Sequence, residues 1–169
     1  LIYGIPGKGL DYWRHQLDQW LDLQVPHLSA YCLTIEPKTY FGAMAKKGEL
    51  RAQPDEQSIA EFTYLMDFCA ANGYEHYEIS NFAKPGFISK HNSAYWLGEN
   101  YLGIGPSAHS YNQVSRGWNV ANNANYIRLL NADAVYHETE VLTAENRCND
   151  YLLTRLRTKW GIHWKDLEF

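Results

Sequence analysis

Leu1-Ile2-Tyr3-Gly4-Ile5-Pro6-Gly7-Lys8-Gly9-Leu10 opens the chain with a short apolar run, read as the tail of a buried strand, and then a glycine-rich turn. The next segment is helical in pattern. Leu10, Trp13, Leu17, Trp20 and Leu21 recur at three- and four-residue steps, which predicts an amphipathic helix over about 10–23. Pro26 ends it, and Leu28 to Ile35 reads as a buried strand. Pro54 suits a first helical turn, with Asp55 and Glu56 placed where negative charge complements the helix dipole. Ile59, Phe62, Met66 and Cys69 are the expected buried stripe of that second helix, and Gly73 its cap. Tyr74 to Phe82 reads as the next strand. Strand, helix, strand, helix, strand is the order of an α/β fold, a parallel sheet with covering helices.

Beyond Pro85-Gly86 the pattern changes. The spacing predicts a short helix around Ser89 to Trp96, strands over Tyr101 to Gly105 and Gly117 to Val120, and a helix near Asn122 to Leu130. Thr143 is placed to cap a last helix with Cys148, Leu152, Leu156 and Trp160 on one face and Gly161 at its end. The stretch 132–142 is the best domain boundary. Residues 164–169 read as the start of a further helix, and with Leu1 in mid-strand the sequence is expected to be an interior fragment.

Composition narrows the function classes. In 169 residues, 15 basic and 19 acidic side chains leave a net charge of −4, which argues against a general phosphate-backbone binder, so no nucleic-acid partner is expected. No apolar run approaches the roughly 18–20 residues of a membrane span, and no signal segment opens the chain. Three widely spaced cysteines, Cys32, Cys69 and Cys148, suit neither a disulfide scaffold nor a zinc knuckle, and a cytoplasmic location is the simplest expectation. Thirteen Tyr and six Trp raise the aromatic content to 15%, material for a core or for a pocket that takes a planar ligand.

Three stretches and the scattered histidines are the candidates for chemistry. Gly4 to Gly9 joins strand to helix, where backbone N–H groups can meet an anion, but Lys8 lacks the following Ser or Thr of a P-loop and a plain tight turn fits better. Gly105-Pro106-Ser107-Ala108-His109 is not a nucleophile elbow, because His109 stands where the second glycine belongs. His15, His27, His76, His91, His109, His137 and His163 show no metal-binding spacing. In His91-Asn92-Ser93-Ala94-Tyr95-Trp96 a helix would put His91 and Tyr95 on one face and Asn92 and Trp96 on the next. Imidazole ligates haem iron and a Tyr/Trp wall can stack on a porphyrin, whereas the same residues also make a packed aromatic corner.

Five stretches in order carry a resemblance: Leu1 to Gly7, Ser29 to Pro37, Tyr77 to Gly86, His91 to Trp96 and Tyr101 to Ser110. Together they resemble the oxygen-independent coproporphyrinogen III oxidase-like radical S-adenosylmethionine (SAM) proteins, and His-Asn-x-x-Tyr-Trp points to the haem-chaperone branch, HemW. The resemblance implies part of a (β/α)6 partial barrel, its last strands with a sheet extension over 1–131, then the start of a helical C-terminal domain over 132–169. It implies His91 as ligand to haem iron, with Tyr95 and Trp96 shaping the pocket, and Gly4, Thr34 and Tyr77 lining a SAM site. The family's Cys-x-x-x-Cys-x-x-Cys motif is absent, Lys8-Gly9 replaces a more usual Gln-Thr, and Lys38 stands where Gly is common. SAM and the [4Fe–4S] cluster are therefore expected in a longer parent, and this stretch alone is expected to be inactive.

The resemblance implies two functions. One is a haem chaperone that binds haem and delivers it to apo-haemoproteins. The alternative is the oxidase, which decarboxylates coproporphyrinogen III to protoporphyrinogen IX. An incomplete barrel leaves a strand edge open, so a homo-oligomer is also expected.

Overall fold

Trp13, Leu17 and Trp20 lie buried on one stripe of α1 (Leu10–Asp22), as their spacing predicts. The computed structural model describes residues 1–167 and divides into two units, Leu1–Ser89 and Lys90–Phe169. In the first unit α1 comes after β1 (Ile2–Tyr3) and stops where Gln24 turns left-handed, two residues before Pro26. The segment expected as one buried strand, Leu28 to Ile35, is two. β2 (His27–Ser29) pairs antiparallel, and after Ala30 the chain changes partner, so that β3 (Tyr31–Cys32) pairs parallel with β1. Tyr31 and Cys32 are exposed, so burial does not extend along the run.

The expected strand Tyr74 to Phe82 is a hairpin of β4 (Glu75–Glu78) and β5 (Asn81–Ala83), and the three-stranded sheet runs β2–β5–β4, antiparallel throughout. Its turn is built by Glu78, whose carboxylate accepts the Ser80 N–H at 2.9 Å and the Asn81 side-chain amide. The fold is thus mixed α/β, with β1–β3 as its parallel pair among the described residues. Two helices come after β3: a short one the pattern did not announce, α2 (Tyr40–Lys46), capped by the Thr39 hydroxyl, and α3 (Asp55–Ala71).

Pro54 precedes α3 as its N-cap, and Gly73 closes its end as expected. The buried stripe is rotated from the expected one. Glu61, Leu65 and Cys69 are inside, while Ile59 is 63% exposed. The reason is electrostatic: the Glu61 carboxylate accepts the buried Gly4 N–H at 2.8 Å, and the Glu61 carbonyl accepts Trp13 Nε1–H at 3.1 Å. A buried carboxylate is tolerable only when hydrogen-bonded. Around it Trp13, Leu17, Trp20, Leu28, Leu65 and Phe82 form the core.

In the second unit α4 (Lys90–Leu97) precedes an antiparallel sheet of β6 (His109–Tyr111), β7 (Ser115–Asn119) and β8 (His137–Val141), in that spatial order. The strand expected over Tyr101 to Gly105 reduces to one bridge, Tyr101 to Tyr111. The buried Asn119 amide donates to the carbonyls of Gly103 and Gly105, which holds this stretch as a loop. α5 (Asn123–Asn131) matches its expected span, with Asn122 as cap.

Thr143 and Asn146 form a reciprocal capping box at the start of α6 (Ala144–Arg155). α6 ends at Arg155 rather than near Gly161, because the Thr158 N–H and hydroxyl both bond the Arg155 carbonyl and close a tight turn; Leu156 is left 74% exposed. Trp164–Leu167 is a single 3-10 turn, and residues 168 and 169 of the expected further helix lie outside the described residues.

Two outcomes test the architecture of the first unit. Glu61→Ala orphans the buried Gly4 N–H and is expected to cost about 2–3 kcal/mol in urea unfolding, while Glu61→Gln, which keeps an acceptor, costs clearly less. Equal losses would show that the hydrogen bond is not what holds the helix. The second concerns pH. On β2 His27 Nε2 lies 2.8 Å from the hydroxyl of the buried Tyr77, and burial lowers its pKa from the ordinary 6.5 against an opposing pull from Glu78. A lowered imidazole pKa means the unfolded chain takes up a proton that the folded chain resists. The stability it contributes is therefore present above 6.5 and lost as pH falls below it. Unfolding midpoints are expected to drop on acidification through this window, and His27→Gln to flatten that dependence.

Candidate functional site

α4 places the aromatic residues. Gly98, with φ of +73°, adopts the left-handed conformation that ends the helix, and its N–H bonds the Tyr95 carbonyl. Within α4, His91 and Tyr95 meet edge-to-face with ring centres 5.0 Å apart and planes at 88°. Tyr95 continues to Tyr101 at 4.7 Å, and Tyr101 stacks on Tyr111 at 5.9 Å, where paired backbone hydrogen bonds of 2.9 Å fix the two residues opposite each other. The result is a row of four rings, His91, Tyr95, Tyr101 and Tyr111. Helical spacing in the sequence marks the first two as site candidates and misses Tyr101 and Tyr111, which come from a loop and from β6. The one signal is that Tyr101 opens a resembling motif and Tyr111 directly follows it, with no helical spacing to connect them.

Tyr95, Tyr101 and Tyr111 of this row line a cleft of about 530 Å³ together with Trp96, Arg116, Arg147, Tyr151 and Arg155, while His91 stands at the end of the row beyond the lining. That volume is within the roughly 300–1,000 Å³ typical of small-molecule sites. Arg116 is held by Glu140 at 2.8 Å and Asp150 at 3.3 Å. Burial raises the pKa of Tyr101, with Tyr95 and Tyr111 adding to it, and burial likewise raises Tyr111, with Asp150 adding and Arg147 opposing. Both phenols therefore stay neutral near pH 7, and the charge of the cleft comes from its arginines and aspartates.

His91 is exposed, and among the described residues its imidazole has no hydrogen-bond partner, so a ring nitrogen is available to a metal. Ser93 is buried on the same helix, its hydroxyl without a partner among the described residues. One free imidazole beside an aromatic wall fits haem, which needs a single strong protein ligand on one face.

The other candidates lie in the first unit. Gly4 and Thr34 are brought to the same end of the parallel β1–β3 pair, where the Leu33 N–H bonds the Tyr3 carbonyl at 2.8 Å. Gly4 has φ of +72°, and a Cβ there would stand 2.8 Å from Cys32 Sγ, so glycine is required. Thr34 is exposed, but Tyr77 is fully buried on β4 against His27. The glycine-rich turn after Gly4 is tied to α3: Gln57 Nε2–H donates to the Lys8 carbonyl at 2.8 Å, and the Lys8 N–H bonds the Ile5 carbonyl.

The cysteines do not fit an iron–sulfur cluster. Cys32 is exposed, Cys69 is buried with its thiol pushed up to about 12, and Cys148 belongs to the second unit. Among the described residues no group of three His, Cys, Asp or Glu side chains is placed to hold a metal ion. No helix there is long and apolar enough to cross a membrane.

Comparison with known proteins bears on the family and the fold. The chain is 37% identical over 166 residues to a Bacillus subtilis protein named heme chaperone HemW, covering 98% of this chain and 44% of that protein. It is 35% identical over 162 residues to heme chaperone HemW of Lactococcus lactis, covering 96% of this chain and 42% of that protein. In structure it is similar to the coproporphyrinogen III oxidase HemN from Escherichia coli, described as a radical SAM enzyme. That match has a TM-score of 0.77 at 20% identity and covers 99% of this chain and 42% of that one. The chain thus spans less than half the length of the relatives it matches. No family model matches it. With sequence and fold agreeing over nearly all its residues, the chain belongs to the HemW-type, coproporphyrinogen III oxidase-like radical SAM family.

Proposed function

We propose that this chain carries the haem-binding part of a haem chaperone that delivers haem to apo-haemoproteins, with His91 as the iron ligand. The observation that carries the reading is the exposed, unpartnered His91 imidazole set against Tyr95 at the end of the ring row. Haem when bound supplies a Lewis-acidic iron for that nitrogen. Tyr95 fixes the plane of the imidazole by its edge contact, and the exposed position of His91 leaves the ligand open to exchange, as a protein that passes its cargo on requires. Trp96, in the wall of the neighbouring cleft, adds apolar surface for the macrocycle. SAM is assigned to the end of β1 and β3, where Thr34 is the exposed member of the expected set. The fold shared with the oxidase leaves its reaction as the competing reading.

The test is a hemin titration of the chain followed in the Soret region. The wild-type chain is expected to give a saturable shift, and His91→Ala to weaken binding at least about tenfold and remove the shift. An unchanged titration in the variant would overturn the assignment, and anaerobic decarboxylation of coproporphyrinogen III would favour the oxidase. Self-association is also proposed, through the open edge of the two-stranded β1–β3 sheet, where Ile2 and Tyr31 are about half exposed. Sedimentation is expected to depend on concentration, and a monomer at every concentration would refute it.

A further inference from the structure

The cleft beside the ring row has an uneven charge. Its lining holds three guanidinium groups, Arg116, Arg147 and Arg155, and two carboxylates, Asp150 and Asp166. Arg116 is already neutralised, bonded by its Nε to Glu140 and by Nη1 to Asp150. Asp166 accepts the Tyr151 hydroxyl at 2.9 Å. Arg147 and Arg155 differ from Arg116: among the described residues neither forms an ion pair. Arg147 donates from Nη1 to the Leu142 carbonyl at 3.1 Å, and Arg155 lies over the Tyr151 ring at 5.3 Å. Both come from α6, one on its first turn and one on its last, two turns of helix apart. Two unpaired guanidiniums beside a wall of Tyr95, Trp96, Tyr101 and Tyr111 suit a flat aromatic ligand that carries carboxylates on its rim.

We infer that Arg147 and Arg155 are the carboxylate anchors of this site, and that the ligand they select is a porphyrin bearing free propionates. The inference rests on the haem-binding reading and adds a second, iron-independent element of recognition. His91 holds the metal; the arginines hold the rim. Because a guanidinium presents two parallel N–H groups to a carboxylate, the anchors also set the in-plane orientation of the macrocycle, which a single axial ligand leaves free to rotate.

The experiment uses this chain with iron-free protoporphyrin IX and with its dimethyl ester, each followed by porphyrin absorbance and emission, beside the hemin titration. Arg147→Gln and Arg155→Gln are combined. Glutamine at 147 keeps an N–H donor for the Leu142 carbonyl, and an unchanged thermal melt shows that α6 is intact. The expected result is binding of the free diacid about tenfold tighter than the diester, an equal loss for the diacid in the double variant, and no loss for the diester. His91→Ala is expected to bind the iron-free diacid as the wild type does, and Lys at both positions to recover part of the affinity. Equal affinity for diacid and diester, or an undiminished diacid affinity in the double glutamine variant, overturns the inference. If hemin still shows its His91-dependent Soret shift in that case, the haem reading stands and only the arginine assignment falls. Absence of any His91-dependent shift in the wild type removes both.

Discussion

The first unit is organised around a carboxylate out of water. Glu61 accepts the Gly4 N–H through its side chain and Trp13 Nε1–H through its backbone carbonyl, so one residue of α3 meets the end of β1 and the face of α1. These bonds set the rotation of α3 about its axis. With Glu61 inside, Leu65 and Cys69, four and eight residues on, must also face the core, and Ile59 must face water. The left-handed Gly4 is part of the same arrangement, its N–H bonded to Glu61 and its α-carbon with no room for a side chain against Cys32.

The second unit is held in another way. Its loops and ends are fixed by polar side chains: Asn119 bridges two loop carbonyls, Asn122 caps α5, and Thr143 with Asn146 caps α6. Its aromatic residues are not spent on a buried centre. They form a row that begins at an exposed imidazole and runs along the wall of an open cleft. These rings are free of core duty, and among the described residues two guanidinium groups in the cleft lining, Arg147 and Arg155, form no ion pair.

Legibility in the sequence tracks which forces are local. The stripe Trp13, Leu17, Trp20, the caps at Thr143 and Gly73 and the helix carrying His91 depend on neighbours a few residues away, and they are readable. Strand pairing depends on distant partners. The run from Leu28 to Ile35 contains nothing that marks Ala30 as the point where the strand leaves β5 for β1, and Glu78 turning the chain at Ser80 looks like any strand residue. Glu61 is unreadable for a related reason: hydropathy assigns a carboxylate to solvent, and its burial is offset by a donor 57 residues away. The site divides along the same line. His91 and Tyr95 share a helix and can be paired on paper, whereas Tyr101 and Tyr111 meet them only through the fold.

The two ways of holding a unit together have a thermal consequence. Among the described residues Leu142 is the one buried hydrophobic side chain of the second unit, and the others all lie in the first. The heat capacity of unfolding grows with the apolar surface newly exposed, at about 0.45 cal/K/mol per Å². A unit stapled by caps and amide bridges therefore has a shallow stability curve, changing little between a cold and a warm cell, while the curve of the aromatic-cored unit bends sharply. The half of the chain that presents the imidazole and the arginines is thus the half whose folding is least tuned to one temperature.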